Sequence, residues 1–158
     1  MTKSLKILLP LVLVFFLGLI VSYIFNNNGA QQNVNMDNFT SLSPYKDFIF
    51  ILINNSISLL VLLSSLILGI WLTYFFYFIN GFLIGVFLAK TNIKIFLISI
   101  LPHGIMEICS FLALGVIIIL IKKEIPVSKY YFFLGYTGLV ISAFIEAFIT
   151  PNILKFFY

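Results

Sequence analysis

The chain has 158 residues, 62% of them hydrophobic and only 9% charged, with a mean hydropathy of +1.18. Soluble domains carry about 25% charged and about 45–50% apolar residues, so a soluble globular domain, a disordered tail and a disulfide-stapled secreted module are excluded. What remains is one membrane-embedded domain. Nine lysines, with no arginine, face five acidic residues, a net charge of +4. No basic run exceeds Lys122-Lys123, which is too short to track a phosphate backbone, so nucleic acid is not an expected partner. The lone Cys109 lies in an apolar run; it forms no intrachain disulfide and reads as a small buried hydrophobe.

A spanning helix needs about 20 mostly apolar residues. Lys3 and Lys6 precede the first such run, Ile7 to Phe25. A signal peptide has a similar layout, but this run is long for that role and Asn28-Gly29-Ala30 is no small-x-small cleavage site. An uncleaved anchor over 1–25 is therefore expected. Residues 26–47 are rich in Asn, Gln and Gly and read as a polar extracytoplasmic loop.

From Phe48 to Ala89 the chain is apolar for 42 residues. A single straight helix of that length would reach ~63 Å, about twice the hydrocarbon thickness. Two spans joined tightly near Gly69-Ile70-Trp71 are expected instead. After the polar break Lys90 to Lys94, a fourth run extends from Ile95 to Ile121 and contains Pro102. Proline suits a helix's first turn, so the main fourth helix is expected to start near Pro102, with 95–101 as a short or re-entrant piece. Residues 130–150 make the fifth span, and Pro151 opens a short tail over 152–158. The expected fold is an all-α bundle of about five spans with a cytoplasmic N-terminus. Five lysines then lie inside and four outside, so length decides the span count and the charge rule alone does not.

A charge at the centre of a spanning helix costs ~2.5–3.5 kcal/mol on insertion scales, which makes intramembrane ionisable residues candidate functional sites. Three occur here: His103 and Glu107 in the fourth run and Glu146 in the fifth. The first two are four apart and share a helix face. Consecutive spans joined by a short loop run antiparallel, so the start of the fourth meets the end of the fifth at one membrane surface. A fourth helix starting at Pro102 puts Glu107 about 8 Å from its beginning, and Glu146 lies about 6 Å from Thr150. The two carboxylates and the imidazole are thus expected at similar depth near the extracellular face, joined by Asn54 and Asn55.

Small and polar residues recur at helical spacing: Asn54, Ser58, Ser65 and Gly69; Gly81 and Gly85; and Gly135, Gly138, Ser142, Glu146 and Thr150. Such stripes mark surfaces where membrane helices approach closely, within a chain or between copies, so a homo-oligomer is left open. For His103, Glu107 and Glu146 three readings stand side by side. They form a structural hydrogen-bonded cluster; or they couple protons or ions, or accept a partner's chain in a polar cavity; or they act as metal ligands or catalytic groups. His103 is the only histidine, so zincin chemistry is excluded. Cys109 points away from His103 on the helix, which argues against a thiol nucleophile. No nucleotide-binding loop is present, and no cofactor is expected.

Four segments carry a family resemblance: Asn54-Asn55; Asn80-Gly81-x-x-x-Gly85; Leu101-Pro102-His103-Gly104-Ile105-Met106-Glu107; and Ala143-Phe144-Ile145-Glu146-Ala147-Phe148-Ile149-Thr150-Pro151. In this order, from Phe48 to Pro151, the chain resembles the stage II sporulation protein M family of integral membrane proteins, with residues 1–47 matching as an anchor plus loop. The resemblance implies a helical bundle in a prokaryotic plasma membrane with no established catalytic activity of its own. It further implies a scaffold for membrane or extracytoplasmic partners, either peptidoglycan-remodelling proteins of engulfment or a system for circular-bacteriocin maturation, export or self-protection. The competing expectations are an intramembrane enzyme using Glu107 or Glu146 as base with His103 as metal ligand or acid, and a proton-coupled transport component.

Overall fold

The structure, a computed structural model, describes residues 3–27 and 43–157. Five segments are long and apolar enough to cross a membrane. Helix α1 runs over Lys3–Asn26, α2 over Pro44–Leu68, α3 over Ile70–Lys90 and α4 over Ile93–Lys122. The fifth segment is composite: α5 (Lys129–Phe144), a π-helical turn (Ile145–Ile149) and α6 (Thr150–Phe157). Most of the predicted 26–47 loop lies outside the described residues. Its last four residues, Pro44–Asp47, form the first turn of α2, where Pro44 follows the cap Ser43 and sacrifices no helical hydrogen bond.

Two features set the chain's path. Gly69 alone separates α2 from α3, with φ +117, a left-handed conformation open to glycine and strained for other residues. Its N–H closes on the Ser65 carbonyl, and the Lys122 ammonium donates to the Leu66 carbonyl at 2.7 Å. Two of the last carbonyls of α2 are thereby satisfied, and the Trp71 indole N–H donates to a third, that of Leu68, at 3.0 Å. Gly69 thus places the tight connection where the length argument required it, and one end of the bundle gathers Lys3, Gly69 and Lys122.

The fourth helix corrects the sequence reading. It begins at Ile93, not near Pro102, and it passes through Pro102 without a break, so 95–101 is its opening turns. The start signal is Asn92, whose side chain accepts from the Lys94 N–H at 2.9 Å. Proline inside the helix forfeits one backbone bond, to the Ile98 carbonyl, a loss that membrane helices tolerate where neighbours surround them. Pro151 likewise does not end the fifth segment, which continues to Phe157.

Helix α4 is central: 56% of its most apolar stretch is buried, against 22–33% for the other four segments. It packs on α1, α2, α3, α5 and α6. The core around it comprises Leu11, Phe15, Leu62, Phe76, Tyr77, Phe111, Leu114, Ile118, Ile119 and Leu139. The outward surface carries large apolar side chains on every helix, including Leu13, Phe50, Ile67, Leu83 and Phe133. In water this would be one continuous sticky surface; in a bilayer it is the solvated face.

The closest helix pair is α1 with α3. Gly81 and Gly85 of α3 sit beneath the backbone carbonyls of Phe15 and Leu19, and Gly18 of α1 sits beneath that of Phe78. A methyl group at any of the three would collide with backbone, which cannot swing aside. Small residues therefore set the approach, and the Gly81/Gly85 pair is engaged within the chain rather than facing outward toward a second copy.

Candidate functional site

His103 is buried, ten residues into α4, or ~15 Å along it at 1.5 Å per residue. Its Nε2 lies 3.7 Å from Glu146 Oε2, and its Nδ1 lies 3.3 Å from Thr150 Oγ1. Thr150 in turn donates its hydroxyl to the Ile145 carbonyl at 3.3 Å. With that hydrogen committed, the imidazole Nδ1–H is the donor to Thr150 Oγ1, and Nε2 is the edge turned to Glu146. The ring's one hydrogen bond to the fifth segment is thus to Thr150, and its Nε2 edge faces Glu146 beyond hydrogen-bond reach. The start of α4 lies beside the end of the fifth span, as a short loop between antiparallel helices requires.

The π turn explains how Glu146 and Thr150 come to meet one imidazole. The Thr150 N–H bonds the Ile145 carbonyl, five residues back, and the next residue, Pro151, has no N–H and would press its ring on the Ala147 carbonyl in a regular helix. Widening the turn before Pro151 relieves that clash. It also rotates Glu146 and Thr150 relative to the rest of α5, and such π insertions concentrate at functional sites. The sequence Ile145-Glu146-Ala147-Phe148-Ile149-Thr150-Pro151 encodes this local geometry.

Glu107 lies deeper than expected but keeps its expected neighbours. Because α4 starts at Ile93, Glu107 lies ~21 Å from the helix start instead of about 8 Å, one turn deeper than His103. The fifth segment also runs past Thr150 to Phe157, so Glu146 lies ~17 Å from its end and stays within electrostatic reach of Glu107. Glu107, His103 and Gly104 of α4, with Asn80 of α3, line a cavity of about 160 Å³ between α1, α3 and α4. Asn80 donates its Nδ2 to the Phe76 carbonyl at 2.7 Å, which leaves its carbonyl oxygen for the cavity. Among the described residues, no group of three His, Cys, Asp or Glu side chains comes together as a metal site, so His103, Glu107 and Glu146 do not form the ligand set that their residue types allowed.

The remaining candidates divide. Asn55 is buried, with its Nδ2 lacking a partner among the described residues, as does the Ser22 hydroxyl. Asn54, expected on the inner stripe, is exposed; the buried line of α2 is Asn55, Leu59, Leu62 and Ser65. At Asn54 and Ser58 the expected stripe ran one residue, or about 100°, out of phase, whereas Ser65 lies on the buried line as expected. Pro102 sits half-buried one residue before the imidazole. Cys109, expected buried, is exposed on the bundle's flank.

Three polar links escaped the sequence reading. Tyr77 is almost wholly buried and donates its hydroxyl to the Phe111 carbonyl at 2.5 Å, with Gly115 leaving room for the hydroxyl. Thr73 donates to Ser65 at 2.9 Å, tying α3 to α2. Ser56 and Tyr136 hydroxyls lie 3.4 Å apart between α2 and α5. The available signal was the need of any buried Tyr or Thr hydroxyl for a partner.

Comparison with known proteins agrees with the residue pattern. The model of the stage II sporulation protein M family matches residues 11–151, a stretch that begins inside α1. An uncharacterized protein of Methanocaldococcus jannaschii is 33% identical over 175 aligned positions, which cover 95% of this chain and 96% of the relative. No solved structure matches the chain. The chain is a multi-pass membrane protein and belongs to the stage II sporulation protein M family.

Proposed function

We propose that this protein is a non-enzymatic scaffold of the prokaryotic plasma membrane that supports or recruits partner proteins. The observation that carries this reading is the engagement of His103. Both ring nitrogens face the chain's own Glu146 and Thr150, so the one imidazole links α4 to the fifth segment. The bundle end so fixed is a stable surface where α2 begins and the fifth segment ends. The family name favours a sporulation setting, with circular-bacteriocin maturation, export or immunity as a second setting for the same scaffold. Its partners are the lipid bilayer and membrane or extracytoplasmic proteins.

Complementation in the native host tests the reading, with His103→Ala, Glu107→Gln and Glu146→Gln assayed for membrane abundance alongside function. A scaffold predicts that function falls only as far as abundance does. Full abundance with function abolished would assign the cluster to catalysis or proton coupling instead.

A further inference from the structure

The cavity between α1, α3 and α4 shares His103 with the tie just described, but its other polar groups take no part in that tie. Two oxygens face it without a hydrogen-bond partner among the described residues: the Glu107 carboxyl and the Asn80 side-chain carbonyl. Around them stand four aromatic rings, Phe15, Phe76, Tyr77 and Phe111. The wall is ordered before any ligand arrives. Phe76 packs on Tyr77 and on Phe111 with ring centroids 5.4 Å apart in each case, and the Tyr77 hydroxyl is pinned to the Phe111 carbonyl.

Acceptor oxygens set among aromatic rings form the chemistry that recognises an organic cation: the oxygens take N–H hydrogens, and the ring faces attract the charge. An unpaired carboxylate at this depth is costly, and a bound cation removes that cost. We infer that this cavity is a binding site for a primary ammonium carried on a small apolar body. The volume, about 160 Å³, suits a short alkyl amine. Exposed Leu83 lies on the rim, so the entry is on the flank of the bundle. Asn80 is the eleventh of the 21 residues of α3, ~15 Å from either end of the helix, a depth that favours a free small amine over a lipid headgroup.

The test is calorimetric titration of the full chain in dodecyl maltoside with butylammonium chloride, and with 1-butanol and potassium chloride as matched probes. Saturable one-site binding of butylammonium is expected, with neither control reproducing it. Glu107→Gln should weaken binding at least tenfold, and Ile84→Phe, which fills the cavity while keeping the carboxyl, should do the same. Asp47→Asn, a carboxylate outside the cavity, should leave binding unchanged. Equal binding of butanol or potassium by the wild-type chain would overturn the assignment, as would undiminished butylammonium binding in a monodisperse Glu107→Gln protein. Addition of phosphatidylethanolamine separates the sources: lost butylammonium binding identifies the lipid amine as the occupant, and unchanged binding identifies a free amine.

Discussion

His103 Nε2 on α4 and Glu146 Oε2 on the π turn lie 3.7 Å apart, although 43 residues and an entire crossing of the bundle separate them in sequence. Two prolines frame the contact: Pro102 precedes the imidazole, and Pro151 follows the widened turn that aims the carboxylate. Each forfeits a backbone hydrogen bond of its own helix, and the side-chain links to Glu146 and Thr150 restore polar contacts at that level.

Thr150→Val removes the hydroxyl that receives the imidazole. Interhelical hydrogen bonds in membranes average about 0.6 kcal/mol, and a loss of that size is expected. His103→Ala removes both contacts and opens space, for an expected loss of about 1–2 kcal/mol. Unfolding midpoints in a denaturing-detergent titration provide the measurement.

Gly81→Ala directs a methyl into the Phe15 backbone carbonyl. Backbone cannot rotate away, so α1 must separate from α3, at a cost of about 1–3 kcal/mol. Gly138→Ala meets the Ser110 hydroxyl instead, which can turn aside at the expense of its 2.7 Å bond to the Met106 carbonyl. It should cost less than Gly81→Ala in the same assay, and the reverse order would contradict the packing described here.

Gly115→Ala pushes against the Tyr77 hydroxyl and ring edge. Tyr77→Phe alone should cost about 1 kcal/mol through the lost bond to the Phe111 carbonyl. In the double variant the phenolic oxygen is gone, so the collision is partly relieved and the combined loss should be smaller than the sum. Strict additivity would show that the two sites are not in contact.

Pro151→Ala restores an N–H and removes the ring that opposes a regular helix. The π turn should then close to α geometry, rotating Glu146 away from His103. The coupling energy between these two residues, measured by a double-mutant cycle in the Pro151→Ala background, should fall toward zero.

Much of this was legible in the sequence because the bilayer imposes lengths. The 48–89 run is too long for one crossing, and Gly69 supplies the left-handed conformation that folds it in two. The meeting of His103 with Glu146 followed from a short loop and antiparallel spans. What could not be read off depends on rotation and on tolerance of broken rules. Asn54 and Asn55 are one residue apart, and only packing decides which turns inward. Pro102 looked like a helix start because free-standing helices reject internal proline, whereas a central membrane helix absorbs it. Moving the start of α4 to Ile93 and the end of the fifth segment to Phe157 put both carboxylates deeper together, still within electrostatic reach of one another. Cys109 lies among apolar residues, and in a membrane protein an apolar neighbourhood does not distinguish core from lipid.

On the reading proposed above, His103 and Glu146 hold the bundle together at the start of α4 and the end of the fifth segment. The most direct measurement of that role is the double-mutant cycle of His103→Ala and Glu146→Gln, read as unfolding free energy in mixed micelles. A favourable coupling of about 0.6–1.7 kcal/mol is expected, the range seen for interhelical polar contacts. Zero coupling, with each single variant as stable as the parent, would contradict it.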